Sequence, residues 1–219
     1  MSALAVESTK ASDRAYLTLK REILDGDLAA RTVLAEVEQS TRLGVSRTPL
    51  REALSRLAAE GLVSTHSGRG VVVTEISTDN VTELFELRAP LESQAASLAA
   101  RRRDPAVFTE LQREFADIDA LLADRHRYYD LVARLDQAID EAVGNSFLVS
   151  ALQGVRMHIA RVRRLSKDDP ERLRDAAREH LMIIDAIVDG DESLAANATQ
   201  LHLQRSLRTI VRSLERNDS

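Results

Sequence analysis

Cysteine is missing from the 219 residues of the chain. Disulfide frameworks, thiolate nucleophiles and cysteine-ligated zinc are therefore excluded. Any metal ion would have to be held by histidine and carboxylate side chains. Glycine, proline and aromatic residues are also scarce, at 8 Gly, 4 Pro and 3% aromatics, and this composition predicts a mainly helical fold.

Long apolar runs are lacking as well. The longest stretches, such as residues 181–188, are broken by charged residues well before the roughly 20 residues that a membrane-spanning helix needs. The first residues show no basic segment followed by an apolar one, so no secretory signal is predicted. We therefore expect a cytoplasmic protein without a membrane partner.

Charge is distributed unevenly along the chain. The net charge of −5 is mildly unfavourable for a nucleic-acid partner, but residues 1–75 hold ten basic and ten acidic residues, so the whole acidic excess belongs to residues 76–219. Within the first part, residues 42–70 contain five Arg against two Glu. This asymmetry predicts a two-part protein with one basic face.

The first part reads as helix, helix, short turn, helix and β-hairpin. The pattern predicts helices over 15–24 and 34–43, and a third that begins after the N-cap Ser46 and stops at Gly61. A strand, a glycine-rich loop and a second strand at 71–74 follow. This is the order of a winged helix-turn-helix, which we expect over residues 12–76 after a flexible tail at 1–11.

The second part, residues 77–219, reads as an all-helical bundle. Capping residues divide it into six expected helices, at 78–103, 105–124, 126–143, 146–166, 170–190 and 191–215.

A segment suited to reading DNA begins at the third helix. Arg47 and Arg51 share one helix face, and Arg is the side chain best suited to the guanine edge. Ser46 and Thr48 can donate to phosphates. Beyond the helix, Ser67, Gly68 and Arg69 would form the tip of the wing. The alternative is that these arginines form an ordinary solvated helix face.

The segment also resembles a known family. The matching residues run over 15–73 and include Leu43-Gly44-Val45-Ser46-Arg47-Thr48-Pro49-Leu50-Arg51-Glu52-Ala53-Leu54, then Glu60-Gly61-Leu62-Val63 and Gly68-Arg69-Gly70. They resemble the GntR family of bacterial transcription regulators. The resemblance implies a homodimer on a palindromic operator in double-stranded DNA, contacted by Ser46, Arg47, Thr48, Arg51, Ser67 and Gly68.

The second helix departs from the family pattern. Gln39 and Ser40 stand where the family often has an apolar residue and Ala, and Val37 stands where some members have an operator-contacting Arg. Contacts from this helix are therefore left open.

Residues 78–215 resemble the FCD domain, the ligand-binding and dimerisation half of the FadR-type subgroup. The resemblance is carried by Leu84-Phe85-Glu86-Leu87-Arg88-Ala89-Pro90-Leu91-Glu92, Ala142-Val143-Gly144-Asn145, Glu179-His180 and His202. It implies a small-molecule effector, commonly an organic acid, and Asn145 is included among the effector-binding candidates on this ground.

Helical periodicity independently singles out two histidines. His180 falls within an apolar stripe of its helix. The turn at Gly190 lies 10 residues after His180 and 12 before His202, so at about 1.5 Å per residue both lie at similar depth on antiparallel neighbours. A single histidine on such a stripe is commonly a core residue, whereas two at matched depth favour a shared site.

A metal site is one interpretation of this pair. Many FCD domains bind a divalent metal through an Asp-x-x-x-His pair and two later histidines, and the aligned pair here is Val132 and Asp136. The remaining set of Asp136, His180 and His202 suits Zn, Ni, Mn or Fe. The alternative is a metal-free pocket in which Asp136 bonds a histidine.

Arg88 points inward on the first helix of the bundle and must therefore be paired. Its internal partner would be Glu92, one turn on, and its functional partner the carboxylate of an effector. Arg156, His158 and Arg163 could also line the pocket, although a solvated flank is the favoured interpretation.

The sequence thus predicts an effector-responsive transcription regulator, most often a repressor in this family, and not an enzyme. Two alternatives are a metal-dependent enzyme with a two-histidine, one-carboxylate site and a structural DNA-binding protein. A metal-dependent enzyme would not account for the basic, DNA-reading pattern of residues 42–70. The second leaves the inward polar residues of the bundle unexplained.

Overall fold

A computed structural model of the chain describes residues 3–66, 70–165 and 170–217. The chain divides into two compact units, Met1–Ser77 and Thr78–Ser219. None of the helices in the described ranges combines the length and hydropathy of a membrane span.

The first unit is a small helical domain with one antiparallel sheet. Its elements are α1 (Ala3–Asp25), β1 (Val33–Leu34), α2 (Glu36–Leu43), α3 (Arg47–Ala59), β2 (Val63–His66) and β3 (Gly70–Val73). The strand order is β1-β3-β2, so the expected hairpin of β2 and β3 carries a third strand on its other edge.

Two boundaries in this unit differ from the sequence prediction. The helix α1 begins at Ala3, within the segment expected to be a flexible tail. Leu34 was expected at the start of the second helix but lies in β1, where it pairs with Val71. Its side chain is 1% exposed, because an extended residue can turn its apolar side chain to the core while its backbone completes the sheet.

The helix-turn-helix forms around a left-handed glycine. Gly44 ends α2 with a φ of 64°, a conformation that costs glycine nothing. Ser46 then occupies the predicted N-cap position of α3 with extended backbone, and its side chain makes no capping hydrogen bond. The inner face of α3 is fully buried at Leu50 and Leu57, which fixes the helix to the domain.

The second unit is a helical bundle. Its helices in the described ranges are α4 (Thr78–Arg102), α5 (Pro105–Ala116), α6 (Ile118–Leu122), α7 (Arg125–Val143), α8 (Ser146–Leu165), α9 (Pro170–Asp189) and α10 (Glu192–Asn217). The predicted helix over 105–124 is therefore two helices. They separate at Asp117, whose side chain accepts a hydrogen bond from the amide of Ala120 and so caps α6.

Two arginines, one at the end of α4 and one directly after it, link this end of the helix to the C-terminal ends of α7 and α9. Arg102 donates to the carbonyl of Val143 at the end of α7. Arg103 donates to the carbonyl of Val188 near the end of α9, at 3.1–3.2 Å. Cationic donors are favourable there because the last carbonyls of a helix lack intrahelical partners.

Candidate functional site

The exposed side of α3 carries the predicted DNA-reading residues. Ser46, Arg47, Thr48 and Arg51 are all exposed, while the opposite face of the helix packs into the core. The arrangement leaves hydroxyl and guanidinium donors on the first turns of the helix, the part of a recognition helix that reaches bases and phosphates.

Arg51 is held by a residue that the sequence analysis did not single out. Its Nε lies 2.9 Å from both carboxylate oxygens of Glu36, at the start of α2. This hydrogen bond lowers the pKa of Glu36. Glu36 therefore orients Arg51 while the guanidinium stays 65% exposed to a partner.

The wing joins the end of β2 at His66 to the start of β3 at Gly70. The three predicted wing contacts, Ser67, Gly68 and Arg69, lie outside the described residues. Their role in DNA binding stays a prediction.

A small cavity lies inside the second unit, between α4, α7, α8, α9 and α10. Its free space is about 20 Å³, which is the room of about one water molecule. Four of the five predicted effector residues line it, namely Arg88, Asp136, His180 and His202. The sequence analysis thus grouped residues that are up to 114 positions apart in the chain and that line one cavity.

Two arginines in this cavity face one carboxylate. Arg88 is 4% exposed, and its Nε donates to Oε1 of Glu92 at 2.8 Å, as the internal-pair interpretation predicted. The Nε of Arg156 lies 3.7 Å from the same oxygen. Burial alone would raise the pKa of Glu92, but the charges of Arg88 and Arg156 outweigh it and lower that pKa. Glu92 is thus an ionised internal counter-ion.

The predicted meeting of the two histidines is confirmed. The ring centroids of His180 and His202 lie 4.5 Å apart. His180 Nδ1 shares a hydrogen bond with the hydroxyl of Tyr128 at 3.2 Å, and His202 Nδ1 bonds Glu179 Oε2 at 2.7 Å. Because an ionised carboxylate only accepts, the proton of this bond belongs to His202.

Burial sets the protonation of His202. Desolvation lowers its pKa below the ordinary 6.5 and outweighs the opposing effect of Glu179. The imidazole is therefore neutral at pH 7, with Nδ1 as donor and Nε2 as acceptor. Burial would raise the pKa of Glu179, but hydrogen bonds from His202 and Arg172 lower it.

The residues present do not fit the predicted metal site. The carboxylate of Asp136 lies 3.8 Å from the Nη2 of Arg156, so its charge is directed to a guanidinium. Among the described residues, no three histidine or carboxylate side chains are arranged to hold a metal ion. A divalent cation would have to take Asp136 from Arg156 and remain beside that positive charge.

Other predicted residues lie elsewhere or behave differently. Asn145 is exposed and is not among the cavity residues; its side chain accepts from the amides of Phe147 and Leu148 at the start of α8. The expectation of a solvated flank is wrong for Arg156, which is 17% exposed and donates to Asp140 at 2.7 Å. His158 is half-buried, and nothing is described of the Arg163 side chain.

Two models of protein families match this chain. The model of the bacterial regulatory proteins of the gntR family matches residues 11–73. The FCD domain model matches residues 83–205, more than half of the chain. The chain belongs to the gntR family of regulators and carries an FCD domain. The family resemblance in the sequence is thereby confirmed.

Curated relatives that align with most of this gntR-family protein are named as regulators. An "Uncharacterized HTH-type transcriptional regulator in unstable DNA locus" of Streptomyces ambofaciens is 30% identical over 86% of this chain and 80% of its own. The "Nta operon transcriptional regulator" of Aminobacter aminovorans is 31% identical over 80% of this chain and 83% of its own. A "Probable D-xylose utilization operon transcriptional repressor" of Paenarthrobacter nicotinovorans is 28% identical over 83% and 80%.

Solved structures share the fold of this gntR-family protein. "E. coli McbR/YncC" has a TM-score of 0.72 at 20% identity, over 92% of this chain and 97% of its own. A putative transcriptional regulator GntR from Rhodococcus sp. RHA1 has a TM-score of 0.70 at 22% identity, over 94% and 99%.

These findings decide the class of the protein. It is a DNA-binding transcription regulator with a winged helix-turn-helix and an all-helical FCD domain. They decide against the enzyme alternative, because the family and the named relatives are regulators.

Proposed function

We propose that this regulator is a homodimeric repressor that binds a palindromic operator, and that a small organic acid bound beside Arg88 changes its operator affinity. In this account α3 reads the major groove, and the residues of the wing contact the adjacent backbone or minor groove. Two copies of α3, held at a fixed separation by the dimer, would match the two half-sites of the operator.

The DNA-binding part of the proposal is supported by the side chains that α3 exposes. Arg47 and Arg51 stand on the solvent side of the helix, and Glu36 orients the second of them. A pre-oriented guanidinium loses less conformational entropy when it forms a bidentate bond to guanine.

The effector part is supported by Arg88. A guanidinium buried to this degree is costly unless a carboxylate is opposite, and the carboxylate now opposite it belongs to Glu92. A ligand carboxylate could replace that of Glu92 with bidentate geometry. The neutral His202 adds a hydrogen-bond acceptor in the same cavity, which would favour an acid that also carries a hydroxyl group.

The small size of the cavity supports a coupling between ligand binding and a shift of the surrounding helices. About 20 Å³ is too little for an organic acid, so entry requires Arg88 and Glu92 to part and the helices around them to shift. Both residues lie on α4, which begins at the boundary between the two units. A ligand that binds the expanded arrangement better would shift the protein towards it, and this difference in affinity is what changes DNA binding.

A thermal-shift screen of small acids tests the effector proposal. The panel contains acetate, propionate, lactate, succinate and glutarate, in which propionate and lactate differ by one hydroxyl. At about 100 times its Kd a ligand stabilises by about 2.7 kcal/mol, which raises the Tm of a chain of this size by several degrees. We expect such a rise for at least one acid, and recovery of that acid unchanged after incubation.

Variants make the screen specific to the cavity. Arg88→Gln should lose the rise, whereas Arg134→Gln should keep it, because Arg134 is an exposed arginine paired to Glu114 on the outside of the bundle. An equal rise in Arg88→Gln and the parent, or conversion of the acid into a product, would contradict the proposal.

A further inference from the structure

Among the described residues that line the cavity, Arg156 has a buried donor without a hydrogen-bond partner. It lies on α8 and donates through Nη1 to Asp140 at 2.7 Å. Its Nε is buried and, among the described residues, has no hydrogen-bond acceptor. Glu92 Oε1, at 3.7 Å, lies beyond the distance of a hydrogen bond.

A buried donor without an acceptor costs free energy, because the hydrogen bond to water that it gives up on folding is not replaced. The cost is recovered when a ligand oxygen reaches the donor. Arg88 and Arg156 come from different helices and flank the single oxygen Glu92 Oε1. Two guanidinium groups that flank one oxygen can bind a carboxylate. The carboxylate of Glu92 forms a hydrogen bond with Arg88 but lies too far from Arg156 Nε to form one.

The same arginine opposes a metal ion. Its guanidinium forms ion pairs with Asp136 and Asp140. It also adds a permanent positive charge at a place where a divalent cation would need only negative and neutral ligands. We propose that this regulator binds its effector without a metal ion, and that Arg156 joins Arg88 as the second cation that grips the effector carboxylate. This inference rests on the proposed effector site.

A metal-binding experiment tests the first half of the inference without an effector. Full-length protein is treated with EDTA, incubated separately with Zn²⁺, Mn²⁺ and Ni²⁺, freed of excess metal and analysed for metal content. The variant His180→Ala/His202→Ala is treated in parallel. We expect the parent and the variant to retain equal amounts, well below one ion per chain. One ion per chain in the parent that is lost in the variant would overturn the inference.

Carboxylate binding tests the second half. With the acid that stabilises the parent, the Kd should be the same in EDTA and in added Zn²⁺. Arg156→Gln should raise that Kd about tenfold or more, which corresponds to about 1.4 kcal/mol, while Arg134→Gln leaves it unchanged. Arg156→Lys serves as a second variant, because it keeps a charge beside Asp140 and lacks the Nε donor, and should also bind more weakly.

The outcomes distinguish the two proposals. An unchanged Kd in both Arg156 variants, or binding that requires added metal, overturns this inference and leaves the effector site at Arg88 intact. If no acid of the panel binds the parent, the proposed effector class fails, and the metal-content measurement alone decides whether the cavity is metal-free.

Discussion

Glu179 and His202 form a buried pair between neighbouring helices, with Nδ1 of the imidazole 2.7 Å from Oε2 of the carboxylate. Glu179 is 3% exposed and also accepts from Arg172 and Arg205. The pair fixes the proton of His202 on Nδ1, and it links α9 to α10 beside the cavity. Its strength depends on the pH because both groups titrate.

Stability should fall as the pH decreases through the ordinary pKa of histidine. Burial lowers the pKa of folded His202, so the unfolded chain takes up a proton near pH 6.5 that the folded chain does not, and the free energy of unfolding decreases below that pH. The lowered pKa of Glu179 adds a loss of the same sign as the pH falls through about 4.5.

The pH effect is measured from urea midpoints between about pH 7.5 and about pH 5.5, the range around the ordinary pKa of histidine. His202→Gln should lose less stability over this range than the parent. His126→Gln, which changes an exposed histidine, is the matched control and should follow the parent. Equal slopes in the parent and His202→Gln would mean that His202 does not carry the effect.

Gly190 should be the costliest turn glycine of the bundle to replace. It has a φ of +75°, and a Cβ there would lie 2.7 Å from the guanidinium of Arg103. Arg103 would have to leave the carbonyl of Val188. Gly190→Ala therefore combines backbone strain of about 1–2 kcal/mol with the loss of these hydrogen bonds.

Gly144→Ala provides the control for this prediction. Gly144 has a φ of +58°, and its nearest new contact, Arg102 Nη1, is 3.4 Å away, an ordinary distance. We expect Gly190→Ala to lower the free energy of unfolding by about 1 kcal/mol more than Gly144→Ala, which is the usual net worth of a hydrogen bond. Equal losses in urea denaturation would show that Arg103 moves away at no cost.

Arg47 and Arg51 should contribute strongly to DNA affinity. Loss of one good base contact costs about 1–3 kcal/mol, so Arg47→Ala and Arg51→Ala should each weaken binding to a duplex selected from a random pool by the parent protein. The affinity is measured by fluorescence anisotropy at fixed salt, because salt alone changes it strongly. Arg134→Ala, with the same change of charge on the other unit, should bind like the parent. Parent-like binding by both α3 variants would refute the assignment of the recognition helix.

Glu36→Gln should separate orientation from charge. The variant removes a negative charge near the DNA-binding face and releases Arg51 from its partner. We expect tighter binding to unselected DNA and a smaller ratio of selected to unselected affinity. A parent-like ratio would show that Arg51 needs no partner.

Local sequence rules predicted the elements whose determinants are close together in the chain. Ser46 stands at the N-cap position of α3 as the sequence pattern indicated, although its side chain makes no capping hydrogen bond. His180 and His202 meet because the helix rise and the turn at Gly190 place both at one depth. The two-residue strand at Leu34 was missed because its partner Val71 lies far along the chain.

The cavity was predicted only in part for the same reason. A helical wheel places Arg156 at the flank of α8, but only the neighbouring helices α4 and α7 decide whether that flank is solvated, through Glu92 and Asp140. Glu179 entered the sequence analysis only through the family resemblance, because an acidic residue beside an apolar stripe is normally solvated. Its arginine partners, seven residues before it and on the next helix, were the available signal.

The coupling between effector and operator is measured as the affinity for operator DNA in the presence and absence of the effector. The Kd of the parent for the selected duplex is measured without ligand and at a saturating concentration of the acid that raises its Tm, alongside Arg88→Gln. We expect a change in Kd of about fivefold or more in the parent, the usual lower range of allosteric coupling, and no change in Arg88→Gln. An equal Kd with and without the saturating acid in the parent would show that the acid does not control DNA binding.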